Sequence, residues 1–163
     1  MNRLANVVLS LVFLIGVAGC GHDDHDDHSA NEEACEHMKE GPSTAVTAGA
    51  DADNATDTEH TDWEHKRVDI TLVESGDAFV GFVKYEAEAA GDYLFFANDD
   101  VTLKVGGEAP EATGSVSECG EVNGVDTFEL AVGEHVVEIS SSKASIQLVV
   151  EVASGDHDDH DDH

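Results

Sequence analysis

The chain of 163 residues is poor in basic side chains: 7 Lys and Arg stand against 36 Asp and Glu, a formal net charge of −29 with His neutral. That shortage excludes nucleic acid as a partner, because such binding is driven by Lys and Arg displacing counterions from phosphate. It also excludes an anionic membrane surface as an electrostatic partner. Catalytic signatures are missing as well. The sequence contains no G-x-S-x-G elbow, no H-E-x-x-H, no G-x-x-x-x-G-K-[ST] and no G-x-G-x-x-G. With its cysteines otherwise accounted for below, no nucleophile–base pair remains, so the chain is not expected to be an enzyme. Nor is there an apolar run suited to crossing a bilayer. Val7 to Ile15 is too short for about 30 Å of hydrocarbon, which takes roughly 20 residues.

What the N-terminus does contain is a secretory signal. Arg3 supplies a basic start and Val7 to Ile15 an apolar centre. The small residues that follow end at a cysteine, and Val17-Ala18-Gly19-Cys20 resembles the lipobox of bacterial lipoproteins. The resemblance implies that residues 1–19 are a removable signal peptide. Cys20 is then acylated, becomes the mature N-terminus and holds the protein at the bilayer. Gly21 in place of Asp implies the outer membrane where the envelope has two. Cys35 and Cys119 are left as an even pair in an oxidising compartment, where a disulfide is expected.

Composition divides the rest. Ser29-Ala30-Asn31-Glu32 fits the S-x-x-E capping box and Gly41-Pro42 a stop, so Ser29 to Glu40 is expected to be a short helix. Ala30, Ala34, Cys35 and Met38 fall on one stripe of it, which would point Cys35 toward the domain and Cys119. Thr44 to Asp62 is rich in Ala, Thr and Asp and reads as a disordered linker closing the segment 20–62. From Trp63 to Ala153 the apolar period becomes two. Val68, Ile70 and Leu72 alternate with polar residues, and so do Val101, Leu103 and Val105. Phe128, Leu130 and Val132 follow, then Val137 and Ile139, then Ile146, Leu148, Val150 and Val152. Tyr93-Leu94-Phe95-Phe96 is apolar on both faces and is expected to be central. With turn signals between the runs, seven or eight short strands are expected over 63–153. The fold class is all-β: an antiparallel β-sandwich, jelly-roll-like, preceded by a short helix and disordered acidic segments.

Two further segments resemble known proteins. Ala90-Gly91-Asp92-Tyr93-Leu94-Phe95 and Leu130-Ala131-Val132-Gly133-Glu134-His135-Val136-Val137 resemble paired strand starts of bacterial pre-peptidase C-terminal-type sandwiches. Cys35 to Pro42 is similar to a segment of uncharacterised envelope lipoproteins that precedes a comparable β domain. Neither resemblance implies an activity.

The strongest chemical signal is the heptapeptide HDDHDDH, present at 22–28 and again in the tail 154–163, at 157–163. It sets out His22, His25 and His28 at one end and His157, His160 and His163 at the other, six of the ten His. Imidazole is the commonest transition-metal ligand, and flanking carboxylates add hard donors or hydrogen-bond acceptors. A spacing of three lines one face of a polyproline II helix, which has three residues per turn. On an α-helix it gives an arc of about 120°. Either shape lets neighbouring His share an ion, and the proton competes with that ion for each imidazole. Zinc is the first expectation, with nickel and copper also fitting the ligand set.

Other candidates are weaker. Cys35, His37 and Met38 form a soft set suited to copper, but Cys35 and His37 stand about 200° apart on a helix and face opposite sides. His60 and His65, with Glu59 and Glu64, read as exposed polar residues where linker meets strand. Asp51 to Asp57 resembles a calcium loop without its glycine and reads as solvated linker.

The expected function is an envelope lipoprotein that binds divalent metal through its heptapeptides, as buffer or as donor to a transporter. The alternative is a structural or interaction lipoprotein whose sandwich binds a protein or glycan, its acidity an adaptation for solubility. The 27 Asp and Glu outside the two tails favour some such adaptation.

Overall fold

The computed structural model describes residues 29–57, 63 and 65–153. The two heptapeptides, Cys20 and His60 lie outside these residues. Among the described residues there is one α-helix, α1 (Ala30–Glu40), and ten strands form two sheets. The six-stranded sheet holds β1 (Ser43–Thr47), β2 (Arg67–Thr71), β5 (Gly91–Ala97), β7 (Ala112–Gly114), β8 (Gly124–Leu130) and β10 (Ser145–Val152), in the order β1-β2-β10-β5-β8-β7. The four-stranded sheet holds β3 (Val73–Ser75), β4 (Ala78–Ala87), β6 (Val101–Val105) and β9 (Gly133–Ser141), in the order β3-β4-β9-β6. Every pairing is antiparallel except β1 with β2. This is the expected sandwich behind a short helix. None of the described helices is long and apolar enough to cross a membrane.

Period-two alternation builds the core. Val68, Ile70, Tyr93, Phe95, Leu148 and Val150 face inward from one sheet, and Val83, Tyr85, Leu103, Val137 and Ile139 from the other. Tyr85 stands edge-on to Trp63, Tyr93 and Phe95, each at 5.6 Å between ring centroids. Such edge-to-face contacts add to simple burial. Tyr93 donates its hydroxyl hydrogen to the Ala89 carbonyl at 2.9 Å, which satisfies its polar end in the core. Val132, expected to face inward with Phe128 and Leu130, lies past the end of β8 and is exposed.

The two-sided apolar character of Tyr93 to Phe96 has a clear origin. β5 lies between β10 and β8; Tyr93 and Phe95 fill the sandwich, while Phe96 and Leu94 face out beneath α1. β10 behaves likewise, with Val149 on the outer face.

One expectation is corrected. Thr44 to Asp62 is read as linker, but its described part, residues 44–57, contributes to strand β1 and then continues along the sandwich. Ser43 to Thr47 pair in parallel with Arg67 to Thr71, and Val46 and Ala48 are buried. Gly49 and Thr56 bridge to Phe82 and Val83, and the Thr56 hydroxyl donates to the Thr47 carbonyl at 2.7 Å. A segment so poor in large apolar groups can join a core because its partners are small as well. A Cβ at Gly81 would lie 2.4 Å from the Cβ of Ala48, and one at Gly49 would lie 1.9 Å from the Asn54 carbonyl oxygen. Close backbone approach replaces side-chain volume here. Asp51 caps the 3-10 turn Ala52–Asn54 through its side chain, so the calcium-like run is a capped turn on the domain surface.

If β1 belongs to the sandwich, Val46→Asp should lower stability by about 2 kcal/mol or more, from burying an unpaired polar group. Urea unfolding followed by Trp63 fluorescence measures it; a linker residue would shift stability by less than about 0.5 kcal/mol.

Candidate functional site

The site lies where α1 meets the outer face of the six-stranded sheet. Helix formation begins locally: the Ser29 side chain accepts from the Glu32 N–H, and the Glu32 carboxylate accepts in turn from the Ser29 N–H. The stripe of α1 then decides its docking. Ala34 and Met38 are buried against Phe96, Val149, Val116 and Val122, with Ala30 and Cys35 beside them. Two further ties hold the helix. Cys35 is disulfide-bonded to Cys119, and Arg67 donates to the Met38 carbonyl at 3.1 Å. The soft set of Cys35, His37 and Met38 is thereby dispersed, since Cys35 is bonded to sulfur and Met38 is in the apolar cluster.

His37 emerges on the opposite flank of the same stripe. It follows Ala34 by three residues and precedes Met38 by one, about 60° and about 100° around the axis. Its Nε2 lies 3.9 Å from Oε1 of Glu151, too far for a hydrogen bond but within ion-pair range. Glu151 belongs to β10, whose alternation sends Ile146, Leu148 and Val150 inward and Gln147, Val149 and Glu151 outward beneath the helix. The residue is only 2% exposed. A carboxylate buried so deeply requires a positive or hydrogen-bonding partner.

His65 supplies one. Its Nδ1 is 3.2 Å from Oε2 of Glu151, and its ring centroid is 5.5 Å from that of His37, tilted by 58°. The backbone at His65 is in the left-handed region, at φ 56°. Non-glycine residues adopt it at a cost of about 1 kcal/mol or more. It stands between Trp63, buried in the core, and Arg67, which begins β2. His65 was expected to be an exposed polar residue; it is exposed, and its imidazole is also turned onto a buried carboxylate. His37, His65 and Glu151 each offer a ligand atom within 4.8 Å of the others. They are a set of donors suited to a borderline metal ion.

Burial lowers the His37 pKa below its ordinary value near 6.5, with the neighbouring His65 adding in the same direction and Glu33 and Glu36 opposing. Elsewhere, a cleft of about 260 Å³ is lined by Asp99, Asp100, Asn123 and Asp126 among others. Burial raises the Asp126 pKa there, and Asn123 donates to Asp100 at 2.6 Å. His135 is bonded to the Ala131 carbonyl at 2.7 Å, away from both. The sequence-predicted ligands His22, His25, His28, His157, His160 and His163 are all outside the described residues.

No protein-family model matches the chain, and no curated protein matches it. Two crystal structures of β-glucosidase from Kluyveromyces marxianus, one selenomethionine-labelled and one in complex with glucose, show a limited likeness. Identities are 17% and 15% and TM-scores 0.36 and 0.34, over 48% of this chain and 11% of the glucosidase chain. The likeness therefore spans about a tenth of that enzyme, and no conclusion is drawn from it.

Two outcomes follow from this geometry. The disulfide closes a separation of 84 residues, so Cys35→Ser with Cys119→Ser should cost about 2–4 kcal/mol in chemical denaturation. The pH response has a definite sign. A His whose pKa is lowered on folding binds its proton more weakly in the native state, so stability is full above about pH 6.5 and falls as pH drops below it. Urea midpoints in chelator-treated protein should therefore fall more steeply below pH 6.5 than those of His37→Gln, which lacks the group with the lowered pKa.

Proposed function

We propose that the protein is an envelope-anchored lipoprotein that binds divalent transition-metal ions, zinc foremost, through the heptapeptides at 22–28 and 157–163. It serves as a metal buffer or as donor to a transporter. The observation that carries the reading is the repetition of HDDHDDH at both ends of the chain. One such run is an acidic tail; two identical ones keep the same three-residue spacing of imidazoles, which sharing an ion requires and solubility does not. The anchor rests on Val17-Ala18-Gly19-Cys20.

The described domain is compatible with that role. Ser29, the cap of α1, directly follows His28, and His157 comes five residues after the end of β10 at Val152. Each heptapeptide is thus joined to the sandwich by a short stretch of chain. The net charge of −29 raises the local concentration of cations around both.

Calorimetric titration of the protein with zinc should show micromolar sites, about −8 kcal/mol each. Their number should fall when all six heptapeptide His are replaced with Ala, while the far-ultraviolet circular dichroism of the sandwich is retained. An unchanged stoichiometry would refute the assignment.

A further inference from the structure

We propose that His37, His65 and Glu151 form a second, folded site that takes one divalent transition-metal ion of the zinc class, independently of the heptapeptides.

The donor types choose the class. Two imidazole nitrogens and one carboxylate oxygen suit zinc and its neighbours in the first transition row. Calcium and magnesium prefer six or more oxygen ligands, which three such side chains do not provide. Spacing is close to what the ion needs. Zinc bonds of about 2.0–2.2 Å at tetrahedral angles place ligand atoms about 3.4 Å apart. Here His65 Nδ1 is 3.2 Å from one Glu151 oxygen, Oε2, and His37 Nε2 is 3.9 Å from the other, Oε1, and one ligand atom from each of the three residues lies within 4.8 Å of the others.

The frame is built to hold the set. Glu151 sits on β10, which lies between two other strands of its sheet. α1, which carries His37, is fixed by the disulfide two residues away at Cys35 and by Arg67 on the Met38 carbonyl. His65 is held in a left-handed conformation between the buried Trp63 and the start of β2. Three elements distant in sequence thus present ligands to one point, and backbone strain is spent on aiming one of them.

Exposure separates this site from a sealed structural one. The side chains of His65 and His37 are 45% and 21% exposed while that of Glu151 is 3% exposed. The ion is approached from solvent, and a fourth position is left to water, as in zinc sites with three protein ligands. Such a site exchanges its ion.

The test uses the full chain with all six heptapeptide His replaced by Ala, titrated with zinc against a chromophoric chelator. It should retain one zinc per chain. Adding His65→Ala should weaken that binding by 10-fold or more, and adding His135→Ala should leave it unchanged. Because the His65 side chain is 45% exposed, its loss is not expected to unfold the domain; a melt recorded without metal checks this. Cobalt(II) supplies a second readout, since its visible absorption in a low-coordinate nitrogen–oxygen site should be present in the six-His variant and absent after His65→Ala. Absence of zinc binding in the six-His variant, or binding indifferent to His65→Ala, would overturn the folded site and leave the heptapeptide reading standing. Unchanged stoichiometry on removing the six His would overturn the heptapeptide reading alone.

Discussion

The docking of α1 on the outer face of the six-stranded sheet is the contact on which the rest of the molecule depends. Without it, Leu94, Phe96 and Val149 would be exposed on the two central strands β5 and β10. The dependence is mutual, for an isolated helix of 11 residues is marginal in water. Its capping box and stripe are sufficient only because Ala34 and Met38 find an apolar floor. The same contact brings His37 over Glu151, so the candidate site exists only when the helix is in place.

The sequence made much of the fold legible because its determinants are local. The capping box at Ser29 and Glu32 is a pattern of four residues, and the alternation in β2, β6, β9 and β10 is visible in runs of five or more. Tyr93 to Phe96 even announced a strand covered on both faces, though not that a helix provides the second cover. β1 was hidden because its signal is a lack of volume. Val46 and Ala48 look like linker until Gly81 and Gly49 are seen to admit the backbone closely.

The site was less legible because it is assembled from three distant segments. Cys35, bonded to Cys119, and His37, beside Glu151, do face different ways on the helix, which dismisses a shared metal between them. What His37 does face is decided by the strand beneath. Glu151 did carry a signal: an acidic residue in Val149-Val150-Glu151-Val152, on the outward face that Val149 shares with Phe96. His65 carried none, since its role depends on a left-handed backbone fixed by tertiary packing.

The position of β10 has a consequence for biogenesis. This final described strand is inserted between β2 and β5, and β2 in turn carries β1. A nascent chain therefore cannot complete its larger sheet until the segment that forms β10 has been made. The first strands must wait, unpaired on one edge, for the last one to arrive. Closure of the domain is thus postponed until the whole sandwich has been synthesised.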